Sequence, residues 1–203
     1  MKYLSTAVCA AAVLAAGSAF AGDNPAWTWG QGQFTSMSSG DDSSDELGLT
    51  GSIGIADLFH VQASYLNGTI GITGGPDQDY DGWRLVGGVH PHIGANTDAV
   101  FNLRYTSYNL DDTSNDVDAW GVGAGLRHML TDKVELNGMI NWDRADIDHV
   151  SNGKSTNVSW EVGGRYLVTP EFSAGVTYND SGSVYYGGGS MTLDLRYQFR
   201  DIL

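Results

Sequence analysis

Apolar residues recur at every second position in nine stretches of the chain. Leu47, Leu49, Gly51, Ile53 and Ile55 alternate with Gly48, Thr50, Ser52 and Gly54. Phe59, Val61, Ala63 and Tyr65 alternate with His60, Gln62 and Ser64, and Trp83, Leu85, Gly87 and Val89 with Arg84 and His90. Ala99, Phe101, Leu103 and Tyr105 alternate with Asp98, Asn102 and Arg104. The same rhythm carries Trp120–Arg127, Val134–Asp143, Val158–Tyr166, Phe172–Tyr178 and Met191–Phe199. A period of two separates the faces of an extended chain, so each stretch predicts a half-buried β-strand. Trp27–Ser38 is a weaker candidate, because turning Trp27 and Trp29 outward also turns Gln31 and Gln33 outward. Counting it gives ten strands; eight remain if it and one hairpin are misread.

Connections near 56–58, 91–97, 130–133 and 169–171 are short. Those near 39–45, 67–81, 111–116, 144–157 and 179–187 are longer and rich in Asp, Ser, Asn and Gly. One end of every hairpin is therefore tight and the other elaborate. The aromatic residues are sorted by height. Phe59, Tyr166, Phe172, Tyr197 and Phe199 fall near the short turns, and Tyr65, Trp83, Tyr105, Trp120, Trp142, Trp160 and Tyr178 near the long connections. Rings at two levels with aliphatic residues between them match the girdles of a membrane barrel; a soluble sandwich has no reason to sort them.

Residues 1–21 read as a cleaved secretory leader, with Lys2 at the start, an apolar run over Ala7–Ala16 and Ala19-Phe20-Ala21 before Gly22. The rest, 22–203, reads as one domain. The only cysteine, Cys9, lies in the leader, so no disulfide can staple the remainder. Without Lys2 the chain carries nine basic and 24 acidic residues, a net charge of −15. That balance argues against nucleic acid, whose phosphates call for clustered Lys and Arg. A mean hydropathy of −0.20 leaves no room for an α-helical span beyond the leader.

Five of the nine basic residues, Arg84, Arg104, Arg127, Arg165 and Arg196, fall on the polar strand face with Glu135, Asp143, Glu161 and Asp194. Arginine suits enclosure, because its planar fork makes several fixed hydrogen bonds to carboxylates. Enclosed charge without a partner is costly, so these groups are expected to pair across the lumen and close it.

The pattern resembles the small Gram-negative outer-membrane β-barrels, which include porin-like proteins and the membrane domain of outer membrane protein A. The terminal segment Leu193–Phe199 is similar to their aromatic-ending assembly signal, with Tyr197 and Phe199 as the aromatic positions, although Arg200–Leu203 follow here. The resemblance implies an all-β, antiparallel up-and-down transmembrane barrel with short periplasmic turns and long outer loops. It also implies export through the periplasm, a place in the outer membrane among lipid and lipopolysaccharide, and the barrel assembly machinery as a partner in biogenesis. A monomer is expected.

Asp77, Asp79 and Asp81, followed by Gly82, match the opening of a calcium loop, where short carboxylates at alternate positions converge on a hard cation. The twelfth position of that loop is Gly88 rather than Glu, and the same residues equally suit a solvated turn. Asp41, Asp42, Asp45, Glu46, Asp111, Asp112, Asp116, Asp118, Asp146, Asp148 and Asp180 add outer acidic groups. Divalent cations bridging them to lipopolysaccharide phosphate are one reading and solubility the other. No resident cofactor is expected. Asp148 and His149 are adjacent and point to opposite faces of a strand, which departs from the spacing in outer-membrane proteases, and no enzyme is expected. The functional expectation is an envelope-structural or surface-interaction role through the acidic outer loops. The alternative is a narrow porin passing small solutes or ions.

Overall fold

The computed structural model describes residues 26–39, 42–71, 73–111, 116–147, 154–182 and 187–199. The leader, Asp41, Asp112, Asp148, His149 and Arg200–Leu203 lie outside them. Eleven strands run in chain order: β1 (Trp29–Ser39), β2 (Asp42–Ile55), β3 (Phe59–Gly71), β4 (Gln78–Val89), β5 (His92–Gly94), β6 (Thr97–Leu110), β7 (Asp116–Thr131), β8 (Val134–Ile147), β9 (Lys154–Leu167), β10 (Phe172–Gly182) and β11 (Gly187–Gln198). Every pairing is antiparallel and, the closing pair aside, joins chain neighbours, except that β4 pairs directly with β6 while β5 joins only the base of β6. The first strand pairs with the last, Trp29 opposite Gln198 and Ser38 opposite Gly189. Ten strands thus close into a barrel with no free edge, the arrangement that satisfies every ladder hydrogen bond where water is absent.

Nine strands face as the alternation predicts. Leu47 and Ile140 are each 64% exposed on the outer face. Contiguous apolar surface of this kind calls for an apolar surrounding. Near the long connections, neighbouring rings of the upper girdle touch: Trp83–Tyr105 at 4.9 Å, Tyr105–Trp120 at 4.7 Å and Trp160–Tyr178 at 5.5 Å. Tyr197 and Phe199 meet edge-on at 5.2 Å near the short turns. Between β2 and β3 the chain turns through Ala56 and Asp57, both with φ of 52°, the left-handed pair that matches strand twist in a tight hairpin.

Three expectations are corrected. In β1 the inward set is Trp29, Gln31, Gln33, Thr35 and Met37, which line the lumen, while Phe34 points out at 42% exposure. The two tryptophans therefore belong to the interior with the glutamines, not to a girdle. Much of what reads as outer loop is paired strand, including 67–71, 78–81, 144–147, 154–157 and 179–182. Polar residues there suit strands that continue above the membrane, where both faces are polar. Glu46, grouped above with the outer acidic residues, is instead buried and faces the lumen from β2.

Candidate functional site: the lumen

Inward glycines decide which polar groups meet inside. Register places Arg104 of β6 opposite Gly121 of β7, and Gly121 opposite Asp143 of β8. With no side chain between them, Arg104 Nε donates to Asp143 Oδ1 at 2.7 Å, and Arg104 Nη2 bonds the other carboxylate oxygen. A Cβ on Gly121 would collide with that carboxylate. Arg165 of β9 likewise crosses Gly175 of β10 to reach Asp194 of β11 at 2.6 Å. The Tyr80 hydroxyl donates to Glu46 at 3.1 Å across Gly68, and His60 meets Asn102 at 2.9 Å across Gly88. Each glycine is a window through which strands two apart share a bond.

Three of the nine lumen charges named from the sequence form direct pairs with three others: Arg104 with Asp143, Arg165 with Asp194, and Arg127 with Glu135 at 2.6 Å. Arg84 instead donates to the Thr106 hydroxyl at 3.2 Å and the Tyr108 hydroxyl at 3.3 Å. Glu161 is hydrogen-bonded to Asn179. Arg196 Nε donates to Gln31 Oε1 at 2.9 Å, and its guanidinium lies 3.9 Å over the Trp29 ring. The structure therefore brings six of these charges together as ion pairs and leaves three with neutral partners.

At the mouth where the chain ends meet, Trp27, just before β1, places its side chain in the lumen. Trp27 stacks on His60 at 4.4 Å and on His90 at 4.1 Å, while the two imidazoles lie 5.4 Å apart. That triangle is too small for a sandwich, so both imidazoles sit side by side against the indole. The indole N–H donates to Asp98 at 3.1 Å, and Arg127 lies 4.8 Å from the ring. Arg127 also donates to the Ala26 carbonyl at 3.2 Å, and Ser52 to the Trp27 carbonyl at 2.7 Å. Burial pushes the His90 imidazole, in the turn after β4, below its ordinary pKa. Sequence reasoning gave no role to Trp27, His60, His90 or Asp98. Their mutual contact depends on which strands the closed barrel brings side by side, which alternation does not encode.

Toward the other mouth the wall turns apolar: Leu66, Ile70, Val117 and Ala145 are buried and face inward. A cavity of about 530 Å³ runs from Trp27 to Ile70, Val117 and Ala145, lined by apolar side chains as well as the polar and charged ones.

Of the calcium-like fragment, Asp77 lies in the connection ahead of β4. Asp79 and Asp81 sit two apart in extended β4, and Thr69 donates to Asp79 at 2.6 Å. Carboxylates spaced along a strand do not wrap a cation, and among the described residues no three His, Cys, Asp or Glu gather to hold a metal. Tyr197 projects outward from β11, 50% exposed, and the Phe199 amide bonds the Thr28 carbonyl at 3.0 Å.

No sequence family and no curated protein matches the chain. Solved structures do. An outer-membrane channel from Pseudomonas putida F1 is similar with a TM-score of 0.54 at 9% identity, covering 90% of this chain and 98% of that one. The β domain of the Bordetella autotransporter Brka is similar with a TM-score of 0.53 at 11% identity, covering 86% and 100%. The fold is a transmembrane β-barrel. A bacterial polysaccharide outer-membrane secretin is similar at a TM-score of 0.50 and 10% identity, with 85% and 66% covered. At these identities the likeness is one of architecture, and what distinguishes this barrel is its own lumen.

Proposed function

We propose that this barrel sits in the outer membrane of a Gram-negative bacterium and has an envelope-structural or surface-interaction role, with a lumen closed to solute flow. Removal of the 1–21 leader in the periplasm and insertion by the barrel assembly machinery complete that reading. The observation that carries it is Trp27, seated in the chain-end mouth by His60, His90, Asp98 and Arg127. Four fixed contacts on one side chain suit a permanent stopper better than a constriction that solutes brush past. No catalytic role is proposed. The working surface is then the outward acidic set near the long connections, Asp45, Asp79, Asp81, Asp118, Asp146 and Asp180, facing the level of lipopolysaccharide phosphate. Bridging by divalent cations there predicts a lower unfolding temperature in lipopolysaccharide after chelation; an unchanged temperature rejects the bridge.

The central test is single-channel conductance of residues 22–203 refolded into a planar bilayer, with heat-modifiable gel migration as the folding control. The expected result is a silent wild type and discrete steps from Trp27→Ala. Ohmic steps from the wild type would overturn closure and establish the second reading, a narrow channel for small solutes or ions, which the 530 Å³ cavity favours.

A further inference from the structure

Around Trp27 the chain-end mouth gathers three imidazoles among charges that already balance. His60 comes from β3, His90 from the turn after β4, His92 from β5, Asp98 from β6, Arg127 from β7 and Glu135 from β8. Farther round the wall Arg165 is paired with Asp194, and Arg196 lies over Trp29. The nearest groups of β1 and β2, Trp29, Gln31 and Ser52, are neutral. Three guanidiniums thus face three carboxylates, and every proton added to an imidazole here is excess positive charge.

Hydrogen bonds fix both stacked rings in their neutral form. His90 Nε2 faces the Phe59 carbonyl at 3.2 Å, and His60 Nε2 faces the Asn102 amide oxygen at 2.9 Å. Both oxygens only accept, so each Nε2 carries the proton and each Nδ1 is bare. Those two Nδ1 atoms are buried with no partner among the described residues. A proton arriving at either makes a charged donor without an acceptor. Asp98 is already engaged: one oxygen accepts from the Trp27 indole, and the other lies 2.5 Å from His92 Nδ1. The indole has Arg127 at 4.8 Å and the two imidazoles stand 5.4 Å apart, so each new cation meets like charge. Trp27 stacks on both rings, and its departure opens both to water.

We propose that acid releases Trp27 from this seat and opens the barrel to small ions. Acid opening rests on Trp27 being the stopper, as read above, and makes closure a state of neutral pH. Water-borne protons and the indole compete for the same two imidazoles, so proton concentration sets the open population.

The test is single-channel recording of residues 22–203 at about pH 7.5 and about pH 4.5, on either side of the ordinary imidazole range. Wild type is expected to be silent at the higher pH and to step reversibly at the lower. The double variant His60→Gln with His90→Gln keeps an amide donor toward Asn102 and Phe59 but gains no proton, and should be silent at both. Trp27→Ala should conduct at both. Steps from the wild type at the higher pH overturn the stopper and acid opening with it. A wild type silent at both while Trp27→Ala conducts leaves the stopper standing and overturns acid opening. Acid steps that persist in the double variant overturn the role of these imidazoles. Nitrogen-15 indole spectra of the micellar barrel give a second readout from its six tryptophans, with Trp27 identified by the resonance lost in Trp27→Phe. That resonance should move on acidification in the wild type and hold in the double variant, while the other five report that both are folded. A Trp27 resonance that stays in place in the acidified wild type overturns the release.

Discussion

The two ends of the lumen are packed by different physics. At the chain-end mouth, Trp27 is held by stacking, a hydrogen bond and a cation over its ring, and Arg127 and Glu135 form a buried pair beside it. At the opposite end Leu66, Ile70, Val117 and Ala145 simply crowd inward. Directional contacts fix one geometry and fail sharply when a partner is lost, because the survivor is left buried and unsatisfied. Apolar crowding is forgiving, since neighbours partly refill a lost methyl group. Directional and non-directional packing can thus coexist in one barrel, and mutation tells them apart.

The largest contrast is expected between Glu135→Ala and Ile70→Val. The first strands Arg127 and should cost about 3–5 kcal/mol in urea unfolding of the micellar barrel. The second should cost about 0.5–1.5 kcal/mol. Equal losses would erase the distinction between the two ends. Next in size is the glycine window. Gly121→Ala pushes a methyl into the Arg104–Asp143 pair and should destabilise by about 1–3 kcal/mol, whereas Gly87→Ala, with open space around its added Cβ, should stay within about 0.5 kcal/mol. A matched pair of unfolding curves decides it.

The smallest effect is a pH dependence confined to the chain-end mouth. Burial holds the folded pKa of His90 below the ordinary 6.5, so folding favours its neutral ring. The stability this supplies is whole above the ordinary pKa and drains as pH falls through the folded one. Protonation also places a cation near Arg127, with Asp98 the nearest carboxylate to offset it and His92 already bonded to that carboxylate. Unfolding midpoints should fall on acidification in the wild type and flatten in His90→Gln. A slope that survives the substitution assigns the effect to another group.

Strand positions were legible where one face meets lipid and the other the lumen, because only there does a period of two separate unlike solvents. That is why β2 to β4 and β6 to β11 follow the alternation. In β1 the contrast fades, since Trp29 and Gln31 share the inner face with Thr35 while Phe34 has only glycines and serines beside it on the outer one. The contrast also vanishes at the tops of the strands, where Asn67, Thr69, Asp79 and Asp81 read as loop but lie in paired strand. The inward arginines could be listed from parity, but their partners could not. Pairing depends on which glycine faces which strand, and register is a property of the closed sheet. Glu46 could have been found by carrying the β2 alternation two residues back from Gly48.

The seam between first and last strands has a consequence for assembly. Gln31 and Arg196, opposite each other in the closing ladder, are among the most distant residues of the described chain. No partly built sheet contains their contact. The Gln31–Arg196 bond and the β1–β11 ladder are therefore gained together, in the last step of closure and not piecemeal.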